Sequence, residues 1–257
     1  MDLITDMMRS LAFLSRISVA SSWFDRFSGK LADSVRGFPL AGVVLSLPAV
    51  IIILICNAFD LPESISAILA VTALIVATGA LHEDGLADVA DGFFGGATAE
   101  RRLEIMKDSS NGSYGTLALI LTILLRIALL ATIIDEVSLF QVVLIVIGTE
   151  AASRGLLVKF WQILPSARNG GVADTAGIPD ASAANFALIS AAIIGVITFG
   201  IAGGLLAITL AAALTTLVFF GFSRLCRDKI GGQTGDTLGA IQQLTAITLQ
   251  LGLVIAL

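Results

Sequence analysis

Charge is scarce in this chain, and nowhere is positive charge massed. Asp, Glu, Lys and Arg make up 14% of 257 residues, where a soluble globular domain carries roughly 25%. That shortage excludes an ordinary soluble enzyme domain. Lys and Arg number 15 against 20 Asp and Glu, and no basic tract of the kind nucleic acid requires is present. No nucleic-acid partner is expected. Cysteine occurs twice, as Cys56 and Cys226. The span assignment below puts them at opposite membrane faces, on the order of 30 Å apart, whereas a disulfide needs Cα atoms within about 7 Å. Both are expected to be free, and nothing suggests a thiol mechanism. Histidine occurs once, as His82. The N-terminal segment interleaves Asp2, Asp6, Arg9, Arg16, Asp25, Arg26, Lys30 and Asp33 with its apolar residues. No clean apolar core precedes a small-residue cleavage site, so no cleavable signal peptide is expected.

What the chain has in excess is apolar sequence: 56% hydrophobic residues and a mean hydropathy of +0.96. The composition predicts an all-α polytopic membrane bundle. The length fits one integral membrane domain over 1–257, with bilayer lipid as its surroundings and no second large soluble domain. Apolar runs long enough to span predict helices at Leu40–Phe59, Ile65–Leu81, Thr116–Ile134, Leu139–Leu164, Asn185–Phe222 and Thr237–Ile255. The fifth run is too long for one span, and Gly203-Gly204 is its expected break. That gives seven spans, with Pro48 expected to kink the first. Met7–Ile17 repeats apolar residues at helical spacing and predicts an amphipathic interfacial helix. A helix packed under the bundle fits the same spacing.

Bases alternate between the connections. Arg9, Arg16, Arg26, Lys30 and Arg36 precede the first span, and Arg101, Arg102 and Lys107 lie in 82–115. Lys159 and Arg168 follow the fourth span, and Arg224, Arg227 and Lys229 precede the last, whereas the turns at 60–64, 135–138 and 203–204 hold none. This pattern predicts a cytoplasmic N-terminus and places the polar 82–115 segment on the cytoplasmic side.

That segment opens with His82-Glu83-Asp84-Gly85-Leu86-Ala87-Asp88-Val89-Ala90-Asp91-Gly92: four acids and no Lys or Arg. On a helix, 100° per residue brings Asp84, Asp88 and Asp91 onto one face. Glu83 lies roughly 100° away from Asp84, and His82 nearly opposite it. Like charges at this spacing repel, so the face calls for a cation, and carboxylate oxygens select a hard one. Mg²⁺ is the expected cofactor, with Asp84, Asp88 and Asp91 as metal-binding and catalytic candidates. Gly85 and Gly92 are expected to keep the backbone open to a ligand.

Two spans start on the same side after Gly-rich stretches. Lys107–Gly115 offers Lys107, Ser109, Asn111, Gly112 and Ser113, and Gly231–Asp236 offers Thr234 and Gly235. Helix N-termini present unpaired N–H groups suited to phosphate. With Glu83, Arg101 and Arg102, these residues are the substrate-binding candidates of a cytoplasmic cleft for a metal-bound diphosphate. Within the spans, Glu150 and Arg154 are four residues apart and able to pair. Arg126 lies mid-span, and intramembrane charge marks function or an internal ion pair.

The run HEDGLADVADGFFGG followed by RRLEIMKDSSNGSYGTLAL resembles the cobalamin synthase family, the adenosylcobinamide-GDP ribazoletransferases. Phe13–Ile17, Gly37–Gly42, Ser153-Arg154, Pro165–Arg168 and Gly232–Ala240 resemble further family elements, so the likeness covers most of the chain in order. The family often carries acids soon after its last motif, where this chain has Gln242, Gln243 and Ala246. The resemblance implies a Mg²⁺-dependent inner-membrane transferase of late cobalamin biosynthesis. Its substrates would be adenosylcobinamide-GDP and α-ribazole or its 5′-phosphate, and it would release GMP. It further implies Asp108 and Asp236 as additional metal ligands or positioners. Arg101, Arg102 and Lys107 would offset charge on the guanylate side. A homo-oligomer is compatible with the sequence, which selects no oligomeric state. Two other functions share part of this pattern. A CDP-alcohol phosphotransferase uses a similar acidic run, but its pattern has Arg where this chain has Asp88. A cation-dependent transporter would need acids near mid-membrane and usually paired repeats.

Overall fold

A computed structural model describes residues 2–25, 29–168 and 175–257. Arg26 of the N-terminal basic set, and residues 169–174 of the loop after the fourth span, lie outside the described residues. Nine helices build the described chain: α1 (Leu3–Leu14), α2 (Phe38–Ala58), α3 (Glu63–Thr78), α4 (Leu81–Gly95), α5 (Ala99–Ile105), α6 (Ser113–Glu136), α7 (Leu139–Ile163), α8 (Ala181–Ile230) and α9 (Gly235–Ala256). Two 3-10 turns, Ser21–Phe24 and Leu31–Gly37, join α1 to α2. The all-α multi-pass bundle expected from composition is present.

Five helical stretches are long and apolar enough to cross a membrane, and a sixth follows if α3 and α4, bent by 88°, count as one span. Two features separate this from the expected seven. Helix α3 has only 16 residues, short of the roughly 20 a span needs. Helix α8 counts once although its backbone leaves helical geometry at Gly204 (φ 67, ψ −159). The break falls where the Gly203-Gly204 pair predicted it, because only glycine takes such angles without strain. Helix α2 runs through Pro48 without ending.

Large apolar side chains face outward along the bundle, including Leu121 at 65%, Leu205 at 76% and Leu217 at 71% exposed. In water such a surface would be an aggregation liability; against lipid it is the expected contact. The chain is an integral multi-pass membrane protein.

The most extensive packing is of α7 on α8, α8 on α9, and α2 on α7. At one end the core is aromatic, with Phe38, Phe160 and Trp161 almost fully buried. Helix α1 docks there. It stops at Leu14, earlier than Ile17, and buries Leu11 and Leu14 against the protein. The buried Asp6 carboxylate pairs with Arg36 Nη2 at 2.7 Å. One face of this segment packs on the protein, while Ile4 and Phe13 stay exposed.

Candidate active site

The acidic stretch forms a helix, as the spacing of its aspartates requires. The chain enters α4 through Gly79 and Ala80, both left-handed at φ 64 and φ 60. Ala80 carries the Cβ strain of that conformation. The resulting bend aims the start of α4 at the start of α9 and lays the two helices together. A Cβ on Gly85 would fall 2.7 Å from the Asp236 carbonyl oxygen, and one on Gly92 2.9 Å from the Arg102 carbonyl. Both glycines therefore serve close approach of protein backbone, not of a ligand.

The three aspartates share an environment but not a role. Asp84 is exposed and Asp88 half-buried. Asp236, Asp84 and Asp91 all act on Asp88 as neighbouring like charges, with Arg168 as the opposing one. Asp91 is buried, and both its oxygens are engaged: Oδ2 accepts from Gly112 N at 2.7 Å and Oδ1 from Gly115 N at 2.9 Å. Helix α6 has no side-chain cap at Gly112; Asp91 satisfies its orphan N–H groups from α4 instead. In the structure its carboxylate is a cap that joins two helices.

Helix α9 contributes the facing wall. Thr234 caps it, accepting from Thr237 N at 3.3 Å. Thr234 Oγ1 also donates to Asp236 Oδ2 at 3.2 Å. The loop after α7 is fastened alongside: Ala167 N donates to Gln233 O, and Gln233 N to Pro165 O, each at 2.8 Å. This short bridge delivers Arg168, whose Nη1 lies 3.5 Å from Asp236 Oδ2 while Nη2 donates to Leu103 O at 2.8 Å. Sequence reasoning gave Arg168 no role. Its signal was there, because Arg168 closes one of the family-like stretches.

Between these walls lies a cavity of about 200 Å³. Asp84, Ser166, Arg168, Thr234, Gly235 and Asp236 line its polar side, and Phe13, Leu14, Phe38, Leu157, Trp161 and Leu238 its apolar side. His82 lines it too. Expected opposite Asp84, it reaches the same space because the cavity caps the first turn of α4.

The structure thus brings Asp84, Thr234, Gly235 and Asp236 to one cavity, with Asp88 beside it. Other candidates lie elsewhere. Glu83 is buried at 4% exposure and pairs with Arg126 Nη1 at 2.7 Å. Arg102 Nη1 donates to Lys229 O at 3.0 Å, holding α5 to the end of α8. Arg101 pairs with Glu104 on the surface. Asp108 accepts from the Ser110 N–H and hydroxyl, which hold its carboxyl below the usual range. Lys107, Ser109, Asn111 and Ser113 are exposed and outside the cavity lining.

A divalent cation fits the donor chemistry of this place. Among the described residues no group of three or more His, Cys, Asp or Glu side chains is placed to hold a metal ion. Mg²⁺ does not ask for one: it keeps several waters and takes one or two carboxylates plus substrate phosphates. Asp84, Asp88 and Asp236 supply hard oxygens in a cluster with one opposing guanidinium.

Comparison with known proteins matches residues 6–254 to the family model described as cobalamin-5-phosphate synthase. The chain is 48% identical over 255 residues to the adenosylcobinamide-GDP ribazoletransferase of Brucella ovis, covering 99% of this chain and 98% of that one. The same enzyme of Brucella melitensis is 47% identical over the same shares. No solved structure gives a significant match.

Proposed function

The chain belongs to the cobalamin-5-phosphate synthase family, and from that premise we propose that it joins adenosylcobinamide-GDP to α-ribazole, or to its 5′-phosphate, with release of GMP. The observation that carries this reading is the meeting of Asp84, Asp88, Asp236 and Arg168 where α4 and α9 both begin. The substrate is a diphosphate, and a diphosphate needs a cation, hydrogen-bond donors and a guanidinium close together.

In this reading the first-turn N–H groups of α9, at Gly235 and Asp236, receive phosphate oxygens. The Arg168 guanidinium offsets their charge, and its bond to Leu103 O fixes the direction from which it does so. Asp84 and Asp88, or one of them with Asp236, would hold Mg²⁺, which would supply charge neutralisation at the diphosphate. The acceptor hydroxyl forms the new P–O bond to the cobinamide-side phosphorus, and the P–O bond to GMP breaks. A carboxylate of the cluster takes the hydroxyl proton. Lys107 and Arg101, exposed beyond the cavity, suit the guanylate end of a donor too large for it.

The test is GMP release from adenosylcobinamide-GDP and α-ribazole by the purified full chain. Release that stops with EDTA and returns with Mg²⁺ is expected; a chelator-insensitive reaction, or none, overturns the proposal. The active site is proposed to face the cytoplasm of a prokaryotic inner membrane. A cysteine replacing exposed Ala97 should then resist an impermeant thiol reagent applied to intact cells. Labelling from outside reverses the orientation.

A further inference from the structure

A second groove lies away from the active-site cavity, on the outward flank of the bundle. It follows the seam between the two halves of α8, before and after Gly204. The seam exists because each half is drawn to a different neighbour. A Cβ on Gly155 of α7 would stand 2.2 Å from Ala191 Cβ, so α7 grips the first half closely. One on Gly252 of α9 would stand 2.4 Å from Ala211 Cα, so α9 grips the second. A slot is left between them. Ala192 and Val196 form one exposed bank and Ala212 and Thr216 the other, over buried Phe199. Thr215, beneath, shares its hydroxyl with Thr248 at 3.1 Å. The slot therefore opens sideways, toward lipid, and its floor asks for an apolar occupant.

The end of the seam remote from Gly204 is basic. Leu156 of α7 and Leu188 of α8 line the groove there. One turn beyond them, Lys159 Nζ donates to Asn185 Oδ1 at 3.1 Å and to Gln162 Oε1 at 2.9 Å. Both acceptors are neutral amides, and among the described residues no carboxylate pairs with Lys159. From the other half of α8, Arg227 Nη2 donates to Ile163 O at 3.2 Å. Ile163 follows Lys159 by one turn on the same face of α7. The two bases thus flank one short stretch of α7, one reaching it from each side of the seam. Neighbouring Arg224 already has an acid, Asp228, at 3.6 Å.

We propose that this seam holds one acyl chain of an anionic phospholipid, with the lipid phosphate between Lys159 and Arg227. An apolar slot that opens into the bilayer and ends at two bases matches such a molecule in both its parts. A helix of a second copy, about 10 Å across, would have to spread two halves that the chain joins at Gly203-Gly204. A single hydrocarbon chain enters without spreading them. A zwitterionic lipid offers the same tail, but its head brings a cation back to the two bases. Each Lys or Arg at the membrane surface favours an anionic head by about fivefold. The site holds no residue of the catalytic cluster and stands apart from the transferase reading.

The test is native mass spectrometry of the full chain, delipidated in detergent and titrated with phosphatidylglycerol or with phosphatidylcholine of the same acyl chains. The parent should bind phosphatidylglycerol about fivefold or more tighter than phosphatidylcholine. Lys159→Gln should weaken phosphatidylglycerol binding about fivefold and leave phosphatidylcholine binding within about twofold. Thr216→Trp fills the slot from its exposed bank and should weaken both lipids about tenfold. Should that variant fail to fold, Ala192→Phe fills the slot from the opposite bank, with the same expectation. Equal affinity of the parent for the two lipids, or binding of neither, overturns the proposal. An unchanged preference in Lys159→Gln overturns it as well, as does parental lipid binding by the filled variant. A parent that binds no lipid but pairs with a second copy, and turns monomeric in Thr216→Trp, makes the seam an interface between copies instead.

Discussion

Glu83 and Asp84 are adjacent on α4, yet the first is buried in a paired network and the second opens onto the cavity. The network runs through the middle of the bundle. Arg126 donates to Glu83 and to Gln243 at 2.7 and 2.9 Å. Gln243 donates to Gln242, and Gln242 to Ser153, at 2.9 and 3.1 Å. Beside Ser153, Glu150 and Arg154 pair within α7. Glu83 and Glu150 stand against Arg126 and Arg154, so this region is neutral. At the cavity, Asp84, Asp88, Asp91 and Asp236 stand against Arg168. The first region is buried and balanced; the second gathers more carboxylates than bases and opens to solvent at Asp84. Balanced charge in the first holds helices together, and the unbalanced charge at the cavity is what the proposed cation would offset.

The sharpest way to break this contrast is at the acidic end. Asp84→Asn or Asp88→Asn should lower GMP release by about two to three orders of magnitude, the several kcal/mol of a lost metal contact. The melting temperature of the detergent-solubilised protein should hardly move. Near-parental turnover in both variants would mean that the excess charge has no catalytic use.

The neutral region should behave in the opposite way. Arg126→Met strands Glu83 without its partner and is expected to cost about 3–5 kcal/mol of stability, read as a lowered melting temperature. Adding Glu83→Gln should recover most of that loss. A single variant that melts like the parent would remove the structural role assigned to the pair. Asp91 fastens α4 to the start of α6, and the smallest effect is expected there. Asp91→Asn keeps one acceptor for the α6 N–H groups and should cost about 1 kcal/mol. Its melting temperature should fall while turnover per folded molecule survives, and loss of turnover equal to that of Asp88→Asn would restore it as a metal ligand.

The departure from the family pattern at Gln242 and Gln243 makes sense in the same terms. An acid at position 243 would sit against Glu83 with only Arg126 to balance both. The amide donates to Glu83 while accepting from Arg126, which keeps the network neutral and nearly satisfied.

Much of this molecule follows from local sequence. Apolar run lengths set most of the helices because a backbone in lipid must bond within itself. The Gly203-Gly204 break follows from glycine's conformational freedom, and the common face of Asp84 and Asp88 from helical periodicity alone. Tertiary structure decided how neighbouring acids divided their work: Glu83 met Arg126, Asp91 met the start of α6, and Asp84 met open space. It also brought Arg168 and Trp161, distant in sequence from the acidic run, to the same cavity. Periodicity fixes the angle at which a side chain leaves its own helix, but its partner depends on which other helix fills that direction, and that is settled only by packing the whole bundle.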